Sequence, residues 1–418
     1  MADRKGFRVR GLGKALPPFR DDFIDVEALS GIVVLLAAIA ALVWANVATD
    51  AYASFWHHPV DLSFGPFDLD LSRAHWVTDG LMTVFFFVVG LEIKREVVRG
   101  ELRDPRTAAL PVIAAVGGMV VPALLFLAVN AGEPTAKGWA IPMATDIAFA
   151  LGVLAIVGSR VPPSLKVFLT TLAIVDDLLA VVVIAVFYTG AIDLLGVTEA
   201  MVCLTLLITA NRAGVRSLAV YGILGIGLWV GVLVSGVHAT IAGVLLALTI
   251  PAVVGDAPTD GRPTRSPLIA LEHLLHPWSA FLIVPLFALA NAGVHLTGGF
   301  EVFSEPVTLG IVVGLVLGKP VGILASTWLL GRVMGTGLPV GSTRAQMAAV
   351  GLLAGIGFTM SLFIADLASL DPAGHHNAKL GILAASVVAG VGGWIAMRLA
   401  TRGRVPNVDP VATDPTPR

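Results

Sequence analysis

Two adjacent carboxylates, Asp176 and Asp177, stand in the middle of an apolar run from Leu165 to Tyr188. Neighbours on a helix point about 100° apart, so the pair cannot be satisfied on one face. One is expected to face a water-filled cavity and the other a protein partner. Hard monovalent cations take oxygen ligands, and a carboxylate supplies both oxygen and charge. A carboxylate in a dry site also holds a proton more tightly than one in water. A group that takes either a cation or a proton, never both, is the minimum apparatus for exchanging them. The plainer alternative is a helix-to-helix salt bridge.

Asp146 and Lys319 lie equally deep in apolar runs. A charge at the bilayer centre costs about 2.5–3.5 kcal/mol, so the four together represent on the order of 10 kcal/mol. Pro142-Met143-Ala144-Thr145-Asp146 sits early in its run. Pro142 lacks a backbone donor, Thr145 adds a hydroxyl, and an unwound stretch is expected there. Its exposed N–H ends would be balanced by Asp146; a simple proline kink is the alternative. Lys319-Pro320 interrupts Gly314–Gly322. A buried lysine is useful in either state: neutral, it takes a proton; charged, it holds an aspartate. Gly355-Ile356-Gly357-Phe358-Thr359-Met360-Ser361 marks a second break. A break in each half of a chain is the pattern of transporter sites.

A further cluster is interfacial. Glu92, Arg95 and Glu96 share one helix face by their spacing. Glu272, His273 and His276 open a later run on the same side. Histidine titrates near physiological pH, so this group suits proton sensing; ordinary interfacial salt bridging is the alternative. His57, His58, His375 and His376 receive no role, and Asp79 and Asp366 read as helix-end residues.

These side chains need elements to hold them, and the composition says which. Of 418 residues, 56% are hydrophobic and only 13% charged, whereas soluble domains carry roughly 25% charged residues. That leaves too little charge to cover a water-facing surface, and lipid is the alternative solvent. The net charge of −2 suggests no nucleic-acid partner. The single cysteine, Cys203, lies in an apolar run and reads as a buried hydrophobe. No secretory signal is evident. Twelve apolar runs follow one another, at 29–48, 76–97, 108–130, 139–158, 165–188, 194–211, 217–234, 237–254, 268–294, 307–331, 344–368 and 378–400. Nothing resembles the alternation of a β-barrel, so about twelve transmembrane helices are expected in an all-α polytopic fold.

Loop charges support that count. With both ends in the cytoplasm, 23 of the 27 basic residues fall on the cytoplasmic side, while Arg73, Lys137 and Lys379 fall opposite and Lys319 lies mid-span. This is the positive-inside asymmetry. The chain then divides into a cytoplasmic segment 1–28, a transmembrane domain 29–400 and a disordered cytoplasmic tail 401–418. Between the first two runs, about residues 59–72, polar and apolar residues alternate around Gly65-Pro66, a hairpin signature. Its unpaired edge offers a place for a second subunit; a loop lying on the membrane is the alternative.

The segments Met82–Glu96, Ala144–Phe149, Ile174–Asp177, Ser235–Thr240, Leu317–Pro320 and Gly357–Ser361 resemble the NhaA family of bacterial sodium/proton antiporters, in the family's order from about residue 20 to 400. The resemblance implies a homodimer in the bacterial inner membrane that exports Na⁺ or Li⁺ against incoming protons, electrogenically and under pH control, with no cofactor. It implies an inverted repeat pairing the third to fifth spans with the tenth to twelfth. It makes Asp176 and Asp177 the ion- and proton-binding pair, with Thr145 adding an oxygen. Asp146 and Lys319 would balance the broken-helix ends, with Lys319 near Asp176. Glu92, Glu96, Glu272, His273 and His276 would form the pH-responsive funnel, and His238 an outer pH-linked position. The hairpin would be the dimer contact. One departure is Thr78, where the family often has Asn.

Two other classes compete. A proton-coupled transporter of an organic solute needs a roomy midplane cavity with several polar side chains. A channel needs a continuous polar pore. An enzyme is disfavoured, because no nucleophile–base set appears.

Overall fold

The computed structural model describes residues 19–61, 70–252, 266–296, 299–335 and 337–402. Residues 1–18, 62–69 (with the expected turn at Gly65-Pro66), 253–265 (with Arg262 and Arg265) and 403–418 (with the expected tail) lie outside the described residues.

The first helix, α1 (Phe19–Val47), begins ten residues before the apolar run at Leu29 and is followed by a short α2 (Thr49–His57). Strands β1 (Pro59–Asp61) and β2 (Asp70–Ser72) pair antiparallel, with Val60 opposite Leu71. Then come α3 (Arg73–Arg99), α4 (Pro105–Val129), a 3₁₀ arm within Pro134–Met143, α5 (Ile147–Val157) and α6 (Pro163–Phe187). The second half holds α7 (Leu194–Arg212), α8 (Leu218–Val234), α9 (Thr240–Thr249), α10 (Pro267–Asn291), α11 (Pro306–Met334), α12 (Arg344–Ala354), α13 (Phe358–Leu367) and α14 (Pro372–Ala400). The end of α3 with Lys94, Arg95 and Arg99 defines a basic face; β1 and β2 define the opposite, hairpin face.

Among the described residues, eight helices are long and apolar enough to cross a membrane. Two bent pairs, the 3₁₀ arm with α5 and α12 with α13, bring the number to ten if each is one span, and both bend by 43°. The remaining two predicted runs fold as α8 and α9, apolar helices of 17 and 10 residues. A straight crossing needs about 20 residues, so length alone does not carry the count to twelve.

Sequence explains most helix starts. Proline stands in the first turn of α4, α6, α10, α11 and α14, where its missing N–H costs nothing. Asp104 caps α4 by accepting from the Arg106 amide at 3.0 Å, and Thr343 with Gln346 forms a capping box at α12. Lys94 closes the other end of α9, donating to the carbonyls of Leu248 and Ile250 at 2.6 and 2.5 Å.

The long helices are not uniform. π-helical turns occupy Trp76–Leu81, Ser279–Ile283 and Gly314–Gly318. The last two each contain the carbonyl that a following proline, Pro285 or Pro320, leaves without its i+4 donor. A wider turn absorbs that mismatch and re-aims the residues after it. Lys319 is the first residue after one such turn.

Packing then fixes where Lys319 points. α4 and α11 meet at two glycines: a Cβ on Gly117 would lie 2.5 Å from the Gly322 carbonyl oxygen, and one on Gly322 would lie 2.0 Å from the Gly117 oxygen. Such close backbone approach is how membrane helices gain packing energy without a hydrophobic drive. The main core joins α1, α4, α6, α10, α11, α12, α13 and α14 around the two breaks. A separate cluster built on Leu207, Tyr221, Leu228 and Ala247 holds α7, α8 and α9 together.

Candidate functional site

The two breaks cross at the centre and satisfy one another's backbone. The Asp146 amide donates to the Ile356 carbonyl at 2.6 Å. The Thr145 hydroxyl donates to the Ala354 carbonyl at 3.0 Å, and the Ser361 hydroxyl to the Ile141 carbonyl at 2.8 Å. In lipid, unwound backbone persists only where such partners exist. Gly355 lets α11 lie against the second break, since a Cβ there would meet the Leu315 carbonyl oxygen at 2.3 Å, and a Cβ on Gly357 would meet the Ala144 oxygen of the first break at 3.1 Å.

Asp146 serves two helix starts. One carboxylate oxygen accepts from the Phe149 amide at 3.1 Å, capping α5. The other accepts from the Thr359 amide at 3.1 Å and the Thr359 hydroxyl at 2.5 Å, at the start of α13. Both starts carry partial positive charge, and one carboxylate answers both. The carbonyl end of the 3₁₀ arm receives a cation. Lys319 Nζ donates to the carbonyl of Met143, where the 3₁₀ arm ends.

Lys319 also donates to Asp176 Oδ2 at 2.6 Å. Neither side chain exposes any surface. Thr145 lies against Asp176, so its hydroxyl oxygen borders the pair while its proton goes to Ala354. Asp177 points elsewhere: it lines a cavity of about 60 Å³ with Asp146, Thr359, Glu92 and His276. Asp176 Oδ1 and Asp177 Oδ1 are buried without a hydrogen-bond partner among the described residues. A carboxylate oxygen left so is a site that a cation or a proton can occupy.

The cavity opens toward the basic face. His276 Nε2 lies 3.8 Å from Glu92 Oε1. Arg95 pairs with Glu272, and with Glu96 at 3.0 Å. Glu272 is almost fully buried beneath that arginine, whereas His273 is exposed. The structure thus gathers Glu92, Glu96, Glu272 and His276 at one mouth, with His273 at its rim. His238 is not among them. It lies at the hairpin-face cavity, 3.5 Å from Asp79 Oδ1.

Several residues of the site carried no role in the sequence reading. Thr359 closes the Asp146 cap, and its signal was the hydroxyl one residue past Phe358 at a glycine break. Asp366 pairs with His375 at 2.8 Å and Lys379 at 3.3 Å. Asp366 and Asp79, expected only at helix ends, both face the hairpin-side cavity.

Comparison with known proteins agrees with this geometry. Residues 21–397 match the family described as Na+/H+ antiporter 1. The Na(+)/H(+) antiporter NhaA of Oleidesulfovibrio alaskensis is 46% identical over 444 residues, covering 97% of this chain and 98% of that protein. The Na(+)/H(+) antiporter NhaA 1 of Klebsiella pneumoniae subsp. pneumoniae is 50% identical over 382 residues, covering 90% and 95%. The Na(+)/H(+) antiporter NhaA of Escherichia coli O1:K1 is 49% identical over 385 residues, covering 90% and 97%. A match of this extent, over both breaks and the aspartate pair, means that the chain belongs to the NhaA family of Na⁺/H⁺ antiporters.

Proposed function

We propose that the chain exchanges Na⁺ or Li⁺ for protons across the bacterial inner membrane, by alternating access at Asp176 and Asp177. One observation carries the reading: Asp177, next to the lysine-paired Asp176, has a bare carboxylate oxygen on a cavity that leads to Glu92 and His276. When the site faces the basic side, Na⁺ displaces protons from the carboxylates. When it faces the hairpin side, protons displace Na⁺. The switch follows from the difference in affinity between the two states. Lys319 keeps Asp176 charged-paired while the cation is away, and Thr145 contributes an oxygen when it arrives.

Cavity size argues for an ion over an organic solute. About 60 Å³ accommodates a few water-sized bodies at most. The basic face is assigned to the cytoplasm by the positive-inside rule, with both termini there and twelve crossings in all. The shorter α8 and α9 cross where the bilayer is locally thinned or the helices are capped by loops. The equal bends of the two broken pairs support an inverted repeat. The Arg95, Glu96 and Glu272 cluster with His276 and Glu92 is the element that responds to internal pH. The paired-aspartate site favours electrogenic exchange, with more protons than sodium ions per cycle. The hairpin joins two copies of the chain through its strand edge.

The test is dequenching of a ΔpH-sensitive dye in inside-out vesicles, with Na⁺, Li⁺ and K⁺ added over a pH series. Saturable proton release by Na⁺ and Li⁺ but not K⁺, lost in Asp177→Asn, is expected. Flux that does not saturate would indicate a channel, and flux that persists in Asp177→Asn would overturn the assignment of the pair.

A further inference from the structure

Six of the chain's nine histidines line one cavity at the hairpin face: His57, His75, His238, His295, His375 and His376. They come from α2, the start of α3, the α8–α9 loop, the segment after α10 and the start of α14. The cavity holds about 720 Å³, and neither Asp176 nor Asp177 lines it.

The other charged groups facing this space are few. Asp79 of α3 and Asp366 of α13 supply two carboxylates, and Lys379 of α14 one ammonium. Asp366 is held by His375 and Lys379, and Asp79 stands beside His238. His75 is bonded to Ser72 Oγ at 2.8 Å and His57 to the Ala53 carbonyl at 2.8 Å. His376 stands within electrostatic reach of His295, His375 and Lys379. Two tyrosines complete the wall. Tyr52 donates to the carbonyls of Leu289 and Ala290 at 2.9 and 2.7 Å, and Tyr188 to that of Lys137 at 3.0 Å, so both phenols are engaged as neutral donors. Among the described residues, no three His, Cys, Asp or Glu side chains converge as metal ligands. The histidines therefore meet protons and passing cations as separate groups.

Their combined charge depends strongly on pH. With neutral imidazoles, two carboxylates and one ammonium leave a formal charge of −1. Burial pushes His238 down to about 4, so with the other five imidazoles protonated the same wall carries +4. Histidine is the side chain whose charge ordinarily changes in the physiological range. A cleft with low-dielectric walls focuses such a field and changes the local concentration of small cations.

The cavity is also mechanically joined to the centre. The His238 ring packs edge-on against Phe363 at 5.3 Å, and Phe363 packs on Phe86 and Phe287 at 5.3 and 6.1 Å. Phe363 and Asp366 stand one turn apart on α13, whose opposite end is held by Asp146.

We propose that this vestibule is a proton-set cation filter: its histidines, charged in acid and neutral in alkali, decide whether Na⁺ on the hairpin side reaches the exchange path, and Asp366 is the carboxylate they screen or release. In acid surroundings the charged mouth lets Na⁺ leave and hinders its return. In alkaline surroundings the mouth turns negative and Na⁺ can re-enter. The inference rests on the exchanger reading above, with the hairpin face outside.

The experiment uses right-side-out vesicles of the full chain, with the internal pH clamped and the external pH stepped from 8.5 to 5.5. ²²Na⁺ uptake from outside gives the apparent KM for external Na⁺. Protons compete at the central pair in every variant, so the filter is read as the difference between the unaltered chain and His295→Gln/His376→Gln. That double variant is expected to show an acid-side rise in KM about threefold smaller than the unaltered chain, with equal KM at pH 8.5. The difference should shrink at 0.5 M choline chloride, because salt screens a field but not a structural defect. His375→Gln alone gives a second reading should the double variant express poorly. Coincident KM curves would overturn the filter while leaving exchange intact; so would a difference that appears only when internal pH is varied. A complete lack of Na⁺-dependent proton flux in the unaltered chain would overturn both readings together.

Discussion

Lys319 Nζ and Asp176 Oδ2 stand 2.6 Å apart with no surface of either side chain exposed. A buried ion pair of this kind is fragile to single changes and tolerant of double ones, because removing one partner strands the other charge. Lys319→Met and Asp176→Asn are each expected to cost about 3–5 kcal/mol. The double variant should recover most of that loss while remaining inactive. Thermal unfolding in detergent decides the point. A double variant whose loss equals the sum of the two single losses would mean that the pair contributes no coupling.

Asp177 makes no such pair, so its replacement should spare the fold. Asp177→Asn is expected to hold its Tm within a few degrees of the unaltered chain. The difference lies in response to ligand. Na⁺ at about 100 times its Kd should stabilise the unaltered chain by about 2.7 kcal/mol, and Asp177→Asn not at all. A preserved sodium-induced rise in Tm would place the cation elsewhere. Because cation and proton compete for one group, that rise should also diminish as the pH falls.

Thr359 donates twice to a single oxygen of Asp146, through its amide and its hydroxyl. Thr359→Val keeps the shape and the amide bond and removes only the hydroxyl. The expected cost is about 1–3 kcal/mol, as for a buried hydrogen bond to a charged group. Thr359→Ser should restore most of it. Unfolding midpoints of the two variants, measured side by side, separate the hydroxyl from the methyl.

The glycine contact between α4 and α11 leaves no room for a methyl on either side. Gly117→Ala and Gly322→Ala are each expected to destabilise by about 1–3 kcal/mol through overpacking. Both should lower the exchange rate, since Lys319 lies one turn from Gly322 and moves with it. Unchanged turnover in a destabilised variant would show that Lys319 is positioned by other contacts.

The hairpin reading separates assembly from transport. Replacing residues 59–72 by a Gly/Ser linker should convert a dimer to a monomer in light scattering at low concentration. Exchange per chain should persist, because no residue of the central site comes from the strands. A variant that remains dimeric would move the interface elsewhere.

Much of this architecture was legible in the sequence because lipid makes charge conspicuous. Asp146, Asp176, Asp177 and Lys319 stood out against apolar neighbours, and each lies at the crossing. Pro142 and the Gly355-Ile356-Gly357 stretch marked both breaks, since proline removes a donor and glycine admits a backbone neighbour. Other features left weaker traces. The π-helical turns before Lys319 and within α10 follow from Pro320 and Pro285, but a proline alone does not say whether a helix kinks or widens. The apolar run at 217–234 matches α8 to within a residue, but the run at 237–254 gave no sign that α9 would be only 10 residues long. The histidine vestibule was hidden because its members come from segments up to 319 residues apart, from His57 to His376. Each is an ordinary loop or helix-end histidine until the fold brings them to one wall.

Asp146 is bonded to the starts of both half-helices at once. Neither can tilt alone without leaving an oxygen bare in the bilayer interior. The two arms are thus pinned like scissor blades at a rivet, and whatever parts them on one side draws them together on the other. A leak, with both doors ajar, would require pulling the rivet out.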